Sequence, residues 1–134
     1  MNDIPQVYVA LPILNESENI SNLVSCFRKQ EYLNYKIVVC VNQYEDWWQD
    51  EEKINECNDN QESLRFLQSI SDIDIHVIDR CSKGVGWSKK KGGVGWARKT
   101  IMDCISEKAN KEDIIIKVAP PTKDEIEMMP GNQT

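Results

Sequence analysis

Short apolar runs recur along the chain, and longer segments with helical periodicity separate them. The runs are rich in β-branched residues, which is typical of buried strands. We predict strands at residues 7–11, 37–41, 73–78 and 114–118. The third run alternates between apolar and polar residues, and this pattern favours an edge strand with one wetter face.

The segments between the strands carry apolar residues at the spacing of an amphipathic helix. These residues are Ile20, Leu23, Val24 and Phe27 in the first segment, Leu64, Leu67 and Ile70 in the second, and Ala97, Ile101, Cys104 and Ile105 in the third. Asn15 with Glu18, and Asp59 with Glu62, have the spacing of capping boxes. We therefore expect the first two helices to begin at these pairs.

The order of elements is strand and helix in strict alternation, which predicts the α/β class. Each crossover is long enough for a helix, so we expect parallel strands, right-handed connections and helices on both faces of the sheet. Ligands of such sheets bind beyond the carboxyl ends of the strands. The loops to search are residues 12–16, 42–45 and 79–96, and the segment after residue 118.

Length and composition fit a single domain. The chain has 134 residues, of which 40% are hydrophobic and 28% charged. We predict one α/β domain over residues 1–118 and an irregular, disordered tail over residues 119–134, which is Pro-rich and aperiodic. No apolar run approaches the roughly 20 residues of a transmembrane helix, and no signal peptide is visible.

The five cysteines are scattered and none lies in a C-x-x-C pair. Cysteines in this arrangement are typical of reduced thiols that pack as small apolar side chains. We therefore expect a cytoplasmic protein.

Charge is unevenly distributed. The net charge is −6, yet residues 80–99 carry seven basic residues and no acidic one, which leaves a balance of −13 elsewhere. A cationic loop on an acidic body indicates a local anion site. It disfavours a nucleic-acid partner, which would need basic charge over a whole face. We expect the acidic stretch at residues 45–56 to be a solvated face.

The cationic loop is also rich in glycine. Gly-Val-Gly-Trp occurs twice, at residues 84–87 and 93–96, and matches neither a P-loop nor a dinucleotide fingerprint. Glycines let backbone amides approach an anion, and the basic residues add charge. The loop therefore fits a diphosphate, although its composition is equally compatible with a flexible, solvated loop.

Three segments together resemble family 2 glycosyltransferases. Residues 12–16 read Pro-Ile-Leu-Asn-Glu and resemble the P-x-x-N-E opening of that family, directly after the first strand. Residues 83–86 and 95–99 resemble its K-G-x-G and A-R-x segments. The resemblance extends over about residues 7–118. It implies a three-layer, Rossmann-like GT-A-type sheet with the strand order 3-2-1-4.

The resemblance implies a nucleotide-diphosphate sugar, with a UDP-sugar as the expected partner, bound along the carboxyl edge of the sheet. Residues 12–16 would hold the base and ribose. Asn42 stands where the family usually has an Asp that reads the base, and Arg98 would lie near the base or diphosphate. The implied binding residues are Pro12, Asn15, Glu16, Asn42, Lys83, Gly84, Gly86 and Arg98.

The chain departs from the family after its fourth strand. The family carries there a D-x-D-type motif for Mn²⁺ or Mg²⁺, whereas Ala119 and Pro121 occupy that register here. Neither side chain offers the oxygen ligands that a hard cation needs. We therefore expect a sheet truncated after the fourth strand, without metal ligands, acceptor half or an assignable catalytic residue. The alternative is a non-catalytic nucleotide- or anion-binding module, or a truncated relative, acting with a protein partner that supplies the missing half.

Overall fold

Strands and helices alternate along the chain. The computed structural model describes residues 6–30, 34–90, 94–109 and 113–117. Strands β1 (Val7–Ile13), β2 (Tyr35–Asn42), β3 (Ile75–Arg80) and β4 (Ile114–Lys117) alternate with helices α1 (Ser17–Arg28), α2 (Ile54–Gln68) and α3 (Val94–Lys108), and a short 3₁₀ helix spans Glu45–Gln49. The tail predicted for residues 119–134 lies outside the described residues.

The strands form one parallel sheet with the order β3-β2-β1-β4. This confirms the α/β class and the parallel sheet predicted from the alternating pattern. β1 and β2 are almost entirely buried, because helices cover both of their faces. β3 lies at an edge, as predicted, but it spans Ile75–Arg80 instead of residues 73–78, and it is half-buried on both faces instead of having one wetter face.

Alternate residues of β1 and β2 pack into two separate cores, so the domain has three layers. Val9, Leu11, Val39 and Val41 face α1 and α2, whereas Tyr8, Ala10, Val38 and Cys40 face α3. Three residues of the predicted stripe on α3, Ala97, Ile101 and Ile105, are fully buried, whereas the fourth, Cys104, is half-buried.

Three of the five cysteines, Cys40, Cys57 and Cys81, are buried, and burial raises the pKa of the Cys40 thiol to about 12. These thiols therefore pack as apolar groups, as expected. Within the described part of the chain, no helix has the length and apolar character to cross a bilayer.

The start of α1 differs from the prediction. α1 begins at Ser17, and no side chain of its own segment caps it, so the capping box of Asn15 and Glu18 is wrong. Asp59 of α2 replaces it: its carboxylate accepts the Ser17 backbone N–H at 3.0 Å and also the Ser17 hydroxyl. A tertiary contact therefore satisfies a donor that a local cap would otherwise satisfy.

The start of α2 also differs. α2 begins at Ile54 rather than at Asp59, so the second predicted capping box is wrong. The earlier turn is helical because Cys57 on it is fully buried. Asp59 is left inside the helix, with its side chain directed to α1.

Replacing Asp59 tests this cap. Asp59→Ala should lower the free energy of unfolding by about 1–2 kcal/mol, since it leaves the first turn of α1 without its acceptor. Urea unfolding followed by circular dichroism measures the change. Glu62→Ala, an exposed acidic position on the same helix, is the matched control and should change stability by less than about 0.5 kcal/mol. Equal effects of the two substitutions would contradict this role of Asp59.

Candidate functional site

The strand order reverses at β1, which has β2 on one side and β4 on the other. Such a reversal is where open α/β sheets bind ligands, in the crevice beyond the carboxyl ends of the strands. Residues 14–16 form the β1 side of this crevice. Residue 118 and those after it, on the β4 side, lie outside the described residues.

The loop after β1 has a fixed backbone and exposed side chains. Asn15 has a φ of 55°, a left-handed conformation that Asn tolerates better than most residues. Its backbone N–H donates to Oδ1 of Asn60 at 2.8 Å. The Asn15 side chain is exposed, and the Glu16 carboxylate accepts a hydrogen bond from Asn19 at 2.9 Å. Pro12, by contrast, is buried within β1 opposite Cys40.

A buried cluster of amide side chains lies directly beneath this edge. Asn42, Gln43 and Asn60 are 2%, 0% and 0% exposed. Asn42 donates to the Ile13 carbonyl at 2.9 Å and accepts from the Trp87 indole N–H at 3.1 Å. Both the donor and the acceptor of its amide are therefore bonded within the protein. A nucleotide base could hydrogen-bond to Asn42 only by displacing one of these two internal partners.

Asn60 and Gln43 complete this cluster, which we call the amide network (Asn42, Gln43 and Asn60). Asn60 donates to Oε1 of Gln43 at 3.0 Å, and Gln43 donates to the Cys57 sulfur at 3.1 Å. Sequence reasoning missed both residues. Gln43 follows a buried strand, which was a usable signal, but a polar residue in a helix such as Asn60 is normally solvated.

The glycine loop is closed by a carboxylate that the sequence analysis did not select. The backbone N–H groups of Gly84 and Gly86 donate to the two oxygens of Glu45, at 2.9 and 3.0 Å. The Glu45 N–H in turn donates to the Trp87 carbonyl at 2.8 Å. Gly84 has a φ of 94°, which suits glycine. The acidic stretch was expected to be a solvated face, and for Glu45 this is wrong, because its carboxylate binds the loop.

The cations of this region have partners too. The Lys83 ammonium lies 5.3 Å from the Trp48 ring centroid, and that of Lys89 lies 3.4 Å from the Asp46 carboxylate. The Arg80 guanidinium stacks 4.4 Å from the ring centroid of Trp87, a favourable cation–π geometry. Two of the loop's lysines, Lys83 and Lys89, therefore contact residues of the 3₁₀ helix.

Arg98 lies on the exposed side of α3, next to the buried Ala97. α3 runs back across β1 and β2, so its first turns lie toward the carboxyl edge of the sheet, and its first turn contains no acidic residue. Residues 91–93 of the basic loop lie outside the described residues.

The loop after β3 begins at a carboxylate that fixes its backbone. Asp79 accepts the backbone N–H groups of Cys81 and Ser82, each at 2.9 Å. Burial raises the pKa of Asp79, but these hydrogen bonds outweigh it and hold that pKa below its ordinary value. The turn leading into the glycine loop is therefore rigidly attached to the end of β3.

A pocket of about 280 Å³ opens beside the glycine loop. It is lined by Glu45, Asp46, Gln49, Trp87, Ser88 and Lys89. It has an aromatic wall and both signs of charge, as a polar ligand with a flat group would require.

The register positions of the implied metal motif lie outside the residues that the structure describes. Nowhere in residues 6–30, 34–90, 94–109 and 113–117 do three His, Cys, Asp or Glu side chains come together as ligands for an ion. The positions expected to ligate it, Ala119 and Pro121, lie outside these ranges. We therefore assign no metal ligand.

Comparison of the chain with protein-family models, with curated proteins and with solved structures found no match.

Gly86 tests how closely the loop and the 3₁₀ helix approach each other. A Cβ at Gly86 would lie 2.8 Å from the Glu45 nitrogen and 2.9 Å from its Cα. Because these are backbone atoms, Gly86→Ala should cost about 1–3 kcal/mol of stability. Urea unfolding followed by tryptophan fluorescence measures it.

The matched control is Gly95→Ala, because a Cβ at this exposed position of α3 meets nothing within 4 Å. Its stability should stay unchanged or rise by up to about 1 kcal/mol, since alanine favours a helix. A Gly86→Ala protein as stable as the Gly95→Ala protein would show that the close approach is absent.

Proposed function

We propose that this chain is a glycosyltransferase-like domain of the GT-A type that binds a nucleotide-diphosphate sugar at the carboxyl edge of its sheet. One observation carries the proposal. The sheet is parallel with the order β3-β2-β1-β4. Of the segments that resemble family 2 glycosyltransferases, residues 12–16 span the end of β1 and the loop after it, residues 83–86 follow β3, and residues 95–99 lie in the first turns of α3. Sheets of this kind bind nucleotides at that edge.

The contacts follow from exposure and charge. The exposed Asn15 and the half-buried Glu16 offer polar groups beside the strand-order reversal, and we assign them to the base and ribose. Lys83 and Arg98 are exposed cations on the segments flanking the edge, and we assign them to the diphosphate. Asn42 is buried and internally bonded, so it supports the loops instead of reading the base.

Binding without turnover is the activity that the described residues support. Sugar transfer needs a group that stabilises the leaving diphosphate and a base that activates the acceptor. Lys83 and Arg98 can contribute to the first, and we assign no residue to the second. The proposal is therefore confined to donor binding, and the acceptor site that transfer requires is assigned to none of the described residues.

Nucleotide binding tests the proposal. Isothermal titration of the chain with UDP should give weak binding, and Arg98→Ala should weaken it by about tenfold or more, since hydrogen bonds to charged groups contribute roughly 1.5–3 kcal/mol. Arg65→Ala is the charge-matched control, because Arg65 is exposed in the last turn of α2, away from the carboxyl edge. An absence of heat with UDP, GDP and TDP at millimolar concentration rejects the proposal, as does an equal effect of the two substitutions.

Divalent cations test the assignment of binding without turnover. Mn²⁺ should leave the affinity for UDP unchanged, and a UDP-release assay with UDP-sugars should stay at background, because no cluster of metal ligands occurs among the described residues. The nearest acidic residue after Pro121 is Asp124, which is out of register with the family's metal motif. Metal-dependent turnover that Asp124→Ala abolishes would contradict this assignment and make the chain an enzyme.

A further inference from the structure

The Glu45 carboxylate occupies a position in the glycine loop that suits a free anion. Its two oxygens accept the N–H groups of Gly84 and Gly86 at 2.9 and 3.0 Å, which are ordinary hydrogen-bond lengths. Backbone N–H groups two residues apart that converge on one anion form the concavity in which many proteins hold phosphate.

We propose that residues 83–87 form an anion-binding site that the chain itself occupies with Glu45, and that a phosphate-class ligand competes with this carboxylate for the two amides. The ligand is pyrophosphate or the diphosphate of a nucleotide. The identity of the nucleotide rests on the proposed function, whereas the competition at the amides does not.

Two cations lie near the amides, and one of them, Lys89, is paired with Asp46 in the adjoining pocket. Lys83 belongs to the loop itself, and Lys89 lines the adjoining pocket of about 280 Å³. At Gly86 a side chain would meet the Glu45 backbone at 2.8 Å, so only glycine permits this approach. A phosphate that binds the two amides has to replace the Glu45 carboxylate, which itself lines the pocket.

The Glu45 side chain can leave without dismantling the loop. The backbones of the two segments are joined independently, by the Glu45 N–H to the Trp87 carbonyl at 2.8 Å and by the Trp87 N–H to the Gln43 carbonyl at 2.8 Å. Neither bond uses the carboxylate. Since Glu45 also lines the pocket, rotation of its side chain directs the carboxylate toward solvent while the loop keeps its shape.

Calorimetric titration with pyrophosphate measures the competition. Glu45→Gln removes the competing charge and should bind pyrophosphate at least about tenfold more tightly than the wild-type chain. Glu51→Gln is the matched control: it makes the same change at an exposed position that does not line the pocket or contact the glycine amides. It should gain less than about threefold from the general change in charge.

Thermal unfolding of each variant accompanies the titration. Glu45→Asp is the second variant, because its shorter side chain keeps the charge but does not reach both amides, and it should gain less than Glu45→Gln. If neither substitution tightens binding beyond Glu51→Gln, the inference is overturned. It is also overturned if neither protein folds, because the carboxylate is then a permanent brace.

Amide resonances locate the ligand. On addition of pyrophosphate to the Glu45→Gln protein, the Gly84 and Gly86 N–H signals should shift while that of Gly95 on α3 stays in place. Shifts confined to other residues overturn the inference.

The affinities for pyrophosphate and UDP separate the two sites. If the Glu45→Gln protein binds the two ligands with equal affinity, the result supports the loop site and counts against the nucleotide site. UDP bound equally by the wild-type and Glu45→Gln proteins supports the nucleotide site and overturns the competition.

Discussion

Three buried amide side chains, those of Asn42, Gln43 and Asn60, connect the loops that follow β1, β2 and β3. Through them the Ile13 carbonyl, the Asn15 N–H and the Trp87 indole are all held from beneath the carboxyl edge. An amide buried without partners costs free energy, and a network in this environment is stable only when every member is satisfied. The positions of the three loops are therefore interdependent, and the shape of the edge follows from this network.

Above the network, several charged side chains at the carboxyl edge contact groups of the protein itself. The Glu45 carboxylate accepts the Gly84 and Gly86 amides, and Asp46 forms an ion pair with Lys89. Lys83 lies over the Trp48 ring, and Arg80 lies over the Trp87 ring. A ligand of this edge replaces internal contacts instead of entering an empty site, so its affinity is the difference between two sets of similar interactions. This is why we expect weak nucleotide binding from a loop whose composition alone suggests a strong anion site.

Local patterns were sufficient to predict the parallel sheet and the buried helical stripes. On α3, for example, Ala97, Ile101 and Ile105 recur at helical spacing within a short segment, so their burial can be predicted from neighbouring residues alone. They were insufficient for Asp59, Asn60 and Glu45, whose side chains bond to backbone groups 39–45 residues away. Contacts of this kind leave no periodic signal. The same limit applies to the site: the glycine loop was visible in the sequence, but the carboxylate that closes it was not.

The central claim is that a nucleotide binds at the carboxyl edge of the sheet, and a ¹⁵N NMR titration of the wild-type chain with UDP tests it most directly. The account predicts concentration-dependent shifts of the Asn15, Glu16 and Arg98 amides, at the loop after β1 and on α3, with the last turn of α2 around Arg65 unchanged. Shifts confined to the opposite edge, or no shifts at millimolar UDP, would contradict it.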